Sequence, residues 1–375
     1  MEKNEYFIYL NQKNGSKAAK EISLEIKAKF KTNPSFIFIL FTPGYDPKEL
    51  SQVFNLTLKN PNLFAIQAPF LIYKNKIIEK GIISCCINKK DTQVNNLFIG
   101  SQDSEKIEYI LKRYFREIKR KDIKFISFIS PQINSLAFLN GIRFSLGKLM
   151  NFSGAGYKKK YSTCENFILN KGIGNGLISL ILDGIDTKTL YLQNFIPLGK
   201  PFEINKLNSK QQIIYEINNK PAIEIYKHYF GEKFNNFIKN RLFSYYPLGI
   251  LNKNSFRLLT IVDILEDGSF LFKGNLRNKA RGNLMTLREK YLKSKIVNKL
   301  EETKNTENGI VFMINSLDRK KILGKKAEKE IENIEKILSP KKELFGIYSD
   351  YYLFPDEETQ DINIESGGLL LNVWE

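Results

Sequence analysis

A chain of 375 residues that is 42% hydrophobic and 26% charged has a globular composition and enough length for two or three packed units. Its apolar runs, such as "FIFILF" at 36–41 and "LISLIL" at 177–182, are too short to span a bilayer, and the opening "MEKNEYFIYL" carries no secretory signal. Three cysteines, Cys85, Cys86 and Cys164, are too few for a disulfide framework and point to a cytoplasmic setting, while the formal charge of +18 fits either a polyanionic partner (nucleic acid or anionic lipid) or simply a lysine-rich, AT-rich coding composition.

The first stretch, "GSKAAKEISLEIKAKF", places Ala19, Ile22, Ile26 and Phe30 on one stripe and predicts an amphipathic helix with Ser16 as its N-cap. "SFIFILF" follows as a buried strand. Asp46, Pro47 and Glu49 then spell a capped helix start with a capping box. "LFAIQAPFLIY" reads as extended chain, "KNK" as a turn and "GIISCCIN" as a further strand, with Cys85 and Cys86 on opposite faces. The order is helix, strand, helix, strand, strand.

The same order recurs. "DSEKIEYILKRYFREIKRK" predicts a helix with Ile107, Leu111, Tyr114 and Ile118 inward and its basic residues solvated. "IKFISFIS" is a strand, and "QINSLAFLNGIRFSLGKL" is a helix with Leu136, Leu139, Ile142 and Leu146 on one stripe. "NFSGAGYKKKY" and "GLISLILDG" complete this second unit. "GIGNG" (172–176) lacks a following helix, so it is read as a hairpin turn rather than a phosphate loop. A third unit comprises a helix in "NLMTLREKYLKSKIVNKL", a strand in "GIVFMINS", a helix with Ala327, Ile331, Ile334 and Leu338 in register, then "LFGIYSDYYLF" and "GGLLLNVW". Between the second and third units, roughly 187–274, lie strand-like "TLYLQNFIPLG", a strand–turn–helix segment with Pro221 near the helix start, and a hairpin turning at Glu266-Asp267-Gly268. The fold class is α+β, a mixed α/β chain with mixed sheets flanked by helices and built from repeated helix-strand-helix-strand-strand units.

Six segments in order, "NFSGAG", "INNKPAIEIYKHYFG", "YYPLGI", "FRLLTIVDILEDGSFLFKGNL", "SLDRKKILG" and "LFGIYSDYYLF", resemble the FIST sensory domain followed by its FIST C companion. The Gly-Glu and His-Asn pairs expected near "YSDYYLF" and "GGLLLNVW" are absent from this chain. The resemblance implies two domains, 1–215 and 216–375, and a prokaryotic, cytoplasmic, non-enzymatic sensor. Such a sensor binds a small ligand, an amino acid or related metabolite, and signals to a separate protein partner.

Candidate ligand-binding residues follow. In "NFSGAGY", Gly154 and Gly156 let backbone amides approach a ligand while Ser153 and Tyr157 offer hydroxyls; close strand packing is the other reading. Arg257, Arg277, Arg281 and Arg319 stand out in a chain that prefers Lys, because Arg clamps a carboxylate bidentately, and structural ion pairs are the alternative. Arg257 and Arg319 are taken forward with Tyr348 and Asp350, the last as a holder of an amino group. His228, the single histidine, falls opposite the stripe of Ile223, Tyr226, Phe230, Phe234 and Phe237; it is expected to face solvent, which argues against a His-ligated haem. The cysteines lack zinc spacing, and acidic pairs such as Glu301-Glu302 sit in polar stretches, so no catalytic constellation, metal or cofactor is expected, with haem held by Tyr or Cys the alternative left open. The alternative function is a basic scaffold or nucleic-acid-binding protein without a small-molecule ligand.

Overall fold

The protein is described by a computed structural model covering residues 5–59, 61–89, 92–117, 124–133, 135–146, 151–157, 166–168, 172–240, 242–252, 255–273, 276–288, 298, 309–338, 342–355 and 362–374. Cys164, Ile118, the lysines at 158–160, the acidic residues at 301–302 and most of the helix expected at 283–300 lie outside these residues.

The first unit runs β1 (Glu5–Leu10), α1 (Gly15–Lys29), β2 (Phe36–Phe41), α2 (Pro47–Leu58), β3 (Leu63–Gln67), β4 (Leu71–Tyr73), β5 (Lys76–Ile78) and β6 (Ile82–Ile87). Helix α1 is capped by Asn14, whose side chain accepts from the Lys17 amide, and not by Ser16. The Ser16 hydroxyl instead donates to Glu49, so Glu49 ties α1 to α2 rather than closing a capping box. Asp46 and Pro47 start α2 as expected.

The second unit runs β7 (Gln93–Gly100), a 3₁₀ turn, α3 (Ile107–Glu117), β8 (Lys124–Ile129), α4 (Ser135–Leu146), β9 (Asn151–Gly156), β10 (Asn166–Ile168), β11 (Gly172–Gly174) and β12 (Gly176–Asp183). "GIGNG" is therefore not a hairpin turn. Its first three residues form β11, which pairs back on β10, and the chain then changes sheet at Asn175. Gly174, at φ +125°, supplies the backbone conformation for that change.

The third unit starts with β13 (Thr187–Leu192). An insert follows: β14 (Phe195–Asn208), β15 (Ile213–Ile217), β16 (Lys220–Pro221), α5 (Glu224–Phe230), α6 (Phe234–Lys239), β17 (Leu248–Asn252), β18 (Ser255–Ile264), β19 (Phe270–Lys273) and β20 (Arg281–Leu287). The unit resumes with β21 (Gly309–Ser316), α7 (Leu317–Leu323), α8 (Lys326–Leu338), β22 (Lys342–Ser349), β23 (Tyr351–Pro355), β24 (Ile362–Glu365) and β25 (Leu369–Trp374). The helix expected from Asn283 is a strand up to Leu287, because β20 is held between β14 and β17 and its ladder overrides helical spacing. Pro221 ends an edge strand, with α5 starting at Glu224. The division expected at 215/216 runs through β15.

Three six-stranded sheets share one strand order. The first is β1-β6-β2-β3 extended by β10-β11, the second β7-β12-β8-β9 extended by β23-β24, and the third β13-β25-β21-β22 extended by β4-β5. In each, the central strand pairs in parallel with the strand that follows its crossover helix, as a βαβ unit requires. The extension always comes from another unit: the first unit completes the third sheet, the second completes the first, and the third completes the second. The three sheets thus form a closed ring of exchanged hairpins.

Period-two alternation explains the continuous apolar runs. Phe36, Phe38 and Leu40 of β2 face a central core shared by all three sheets, while Ile37, Ile39 and Phe41 face α1 and α2. One phenylalanine from each central strand, Phe38, Phe128 and Phe312, meets the other two with ring centroids 5.2–6.3 Å apart, and Trp374 stacks on Phe38 at 6.2 Å. The outer faces are covered by α1–α2, by α3–α4 through Ile107, Leu111, Phe138 and Ile142, and by α8 through Ile331, Ile334 and Leu338. The insert is a seven-stranded sheet with its own core under α5 and α6, centred on Tyr226, Phe237 and Phe270.

Candidate functional site: the seam between insert and ring

Two polar groupings join the insert to the three-sheet ring. The deeper one centres on Arg319 of α7, which is fully buried. Its Nε donates to both Glu330 carboxylate oxygens at 2.9 and 3.0 Å, and Nη2 donates to Glu330 at 2.5 Å. Nη1 donates to Asn194 Oδ1 at 2.7 Å and to the Gly367 carbonyl at 3.1 Å. Burial alone would pull the Arg319 pKa down; the Glu330 carboxylate more than reverses this, and the guanidinium stays charged. Asn194 also donates to the Arg288 carbonyl, so it clasps both ends of the insert, β14 and β20.

The Ser316 hydroxyl accepts from the amides of Asp318, Arg319 and Gly367, capping α7 and pinning the turn before β25. Gly367 has φ +96°, and a Cβ there would stand 3.2 and 3.3 Å from Phe195 and Leu258 of the insert. Tyr352 accepts from the Gly368 amide, and Tyr191 donates to buried Glu365 at 2.6 Å. Burial, reinforced by Glu365, pushes both of these tyrosines well above their ordinary pKa, so they remain neutral donors.

The shallower grouping lies where β18 of the insert runs against β24. Half-buried Arg257 donates to Asn363 Oδ1 at 2.8 Å, and Lys273 stands 4.4 Å from the Tyr351 ring centroid. Asp350, 8% exposed, sits where the chain crosses from β22 to β23, its amide donating to the Gly156 carbonyl.

The expected site residues divide accordingly. Gly156, Tyr157, Tyr348 and Asp350 converge at that crossing, where the Tyr157 hydroxyl donates to the Tyr348 carbonyl at 3.4 Å. Ser153 and Tyr157 lie on the inner face of β9, but Gly154 and Gly156 face outward, a split that period two imposes. A Cβ at Gly154 would meet the Ser127 carbonyl at 2.8 Å and Leu353 at 2.9 Å, and one at Gly156 would strike the Tyr351 ring. Both glycines therefore serve close packing of β9 on β23. Gly156→Ala is expected to cost about 1–3 kcal/mol by overpacking, read as a lower midpoint in thermal unfolding. Arg257 lies at the seam, whereas Arg277 is exposed and Arg281 reaches Glu203 at 3.5 Å on the surface. The guanidinium of Arg319 is spent on protein acceptors. His228 is exposed, as expected.

Sequence reasoning missed Asn194 and Glu330. Glu330 carried a signal: it falls on the Ala327–Ile331–Ile334 stripe, where a carboxylate needs a buried cation. Nothing local marks Asn194.

Residues 222–350, from the start of the insert's helical segment to the crossing at Asp350, match the family model described as FIST C domain. This segment is similar to the FIST C domain. FIST C is a sensory domain family, which agrees with a role outside catalysis. The FIST C segment contributes Arg257, Lys273, Arg319, Glu330, Tyr348 and Asp350, while Asn194, Asn363 and Gly367 come from outside it. No curated protein matches the chain. Among the described residues, no cluster of His, Cys, Asp and Glu could hold a metal ion, and no helix is long and apolar enough to cross a membrane. Burial pushes the thiol of Cys86 up to about 12 and that of Cys85 well above its usual value, so neither is a thiolate at neutral pH.

Proposed function

We propose that this protein is a cytoplasmic, non-enzymatic sensor that takes a small zwitterionic metabolite, an amino acid or a close relative, at the seam between insert and ring. No cofactor takes part, and the output passes to a separate protein partner. The observation that carries the reading is the placement, within one FIST C segment, of half-buried cations on the insert, Arg257 and Lys273, and of a nearly buried carboxylate on the ring, Asp350, next in sequence to the Tyr351 ring that Lys273 covers. Arg257 suits a carboxylate and Asp350 suits an ammonium group, and a ligand engaging both would bridge the two bodies.

The test is a thermal-shift screen of the full chain against the twenty amino acids. A ligand at a hundred times its dissociation constant adds about 2.7 kcal/mol, a readily seen shift. The shift is expected for one chemical class and is expected to vanish in Arg257→Gln and Asp350→Asn. A flat panel sinks the reading. The net charge of +18 supports a second one, a basic scaffold for nucleic acid. Binding to a DNA duplex that collapses between low and physiological salt would select it.

A further inference from the structure

We propose that a single buried latch, Arg319 clasped by Glu330 and reaching Asn194 and the Gly367 carbonyl, sets how the insert sits on the ring and makes α7 the element that reports the insert's position. The inference deepens the sensor reading and takes its signalling meaning from it, but the latch itself is tested with no ligand present.

Helix α7 touches every body that meets at the seam. Leu317 packs in the outer core of the third sheet, and Ile322 packs with Phe195, Leu258 and Met285 of the insert. Lys320 lies 4.0 Å from the ring centroid of Phe70, which leads into the first unit's hairpin; Lys321 lies 5.6 Å from that of Tyr245 in the insert. Between these outward contacts, Arg319 points inward. Its one guanidinium joins α8 through Glu330, both ends of the insert through Asn194, and the β24–β25 turn through Gly367.

Among the described residues, the apolar part of the junction is small: three buried residues, Phe195, Leu258 and Met285, with Phe256, Leu287 and Ile322 against them. The insert's own core is far larger and separate. An insert that folds on its own core and docks through a small apolar patch, one buried directional clasp and a few shallower bonds such as Arg257–Asn363 and Tyr245 to the Lys321 carbonyl can loosen without unfolding. The clasp is geometrically strict, because a planar guanidinium with acceptors on three elements fixes their relative positions. A shift of β14 or β20 moves Asn194, and through Arg319 it moves α7.

The experiment is amide hydrogen exchange on the full chain. Asn194→Ala leaves an Arg319 donor buried without its acceptor. It is expected to speed exchange about ten-fold in α7 and at Gly367–Gly368, while α5–α6 and β2 keep wild-type protection. Gly367→Ala disturbs the same junction from the other side, against Phe195 and Leu258, and leaves the ion pair's charges intact. It is expected to give the same pattern, and it keeps the test open should Asn194→Ala fail to fold. Gln193→Ala, which removes bonds to the neighbouring Phe195 amide and to the Phe256 carbonyl but none to Arg319, is expected to leave α7 unchanged. Faster exchange confined to the residues beside 194, or a uniform rise that includes α5–α6 and β2, overturns the latch. A flat amino-acid panel on the unaltered protein, with the exchange pattern as expected, would sink the ligand reading alone.

Discussion

Glu330→Ala should be among the most damaging single substitutions in this protein, costing about 3–5 kcal/mol and lowering the unfolding midpoint by on the order of 10 °C. The carboxylate receives three of the Arg319 bonds, and both side chains are essentially removed from water. Without it a guanidinium remains charged in a site where burial already opposes charge. The double replacement Arg319→Met with Glu330→Leu removes both charges together. It should cost far less than the single change, about 1–3 kcal/mol, because the groups left unmet, Asn194, the Gly367 carbonyl and the Asn315 donor to Glu330, are all neutral. Calorimetry on the three proteins checks the order. If Glu330→Ala proves milder than the double replacement, the pair is not what neutralises Arg319.

The legible and illegible parts of this fold separate along one physical line. Elements whose partners lie nearby in sequence were readable: the "FIFILF" strand, the Asp46–Pro47 helix start, the α8 stripe and the Glu266–Gly268 turn all appear where local pattern puts them. What could not be read is pairing between units. "LFAIQAPFLIY" is extended at both ends, as expected, but bends at Pro69–Phe70: β3 ends at Gln67 in the first sheet and β4 starts at Leu71 in the third. Nothing in the residues themselves says which sheet a short apolar strand will join, since every sheet here presents the same kind of edge. The stretch from Asn283 to Leu287 misled for the same reason: Leu284 and Met285 suit either element, and only the β14 and β17 ladders decide.

The site was half legible. An arginine in a lysine-rich chain marked Arg319, and the small-residue step marked the crossing at Gly156. The sequence left open whether those residues serve a ligand or the fold, and geometry supplies the difference. Arg319 has acceptors for its donors within the protein, and Gly156 is filled by Tyr351. Arg257 stands on the insert and Asp350 on the ring, and the proposed ligand role rests on that placement. The matched FIST C segment is also not a structural unit by itself. Of the six strands in the third sheet, β21 and β22 fall within it, and β13, β25, β4 and β5 do not.

That interleaving sets the second large expectation. Ile72→Ala, a change in the first unit, should destabilise the third sheet by about 2–5 kcal/mol. Ile72 is fully buried on β4, pairs with Gly346 of β22, and packs in the outer core that α8 covers, among Val311, Met313 and Ile331. Removing its side chain leaves a cavity under α8, far along the chain from the substitution. In hydrogen exchange, loss of protection should appear at β22 and α8 before it appears at β2 or α1, although β2 belongs to the unit that was altered. Heating should nonetheless give one transition. The ring has no sheet that is complete without a neighbour's hairpin, so the loss of one sheet removes an edge partner from the next. Two separated transitions, one for each half of the chain, would mean that the hairpins decorate independent domains. A single transition that moves as a whole with Ile72 would mean that the exchanged strands make the three sheets one cooperative body, against which the insert is the part left free to move.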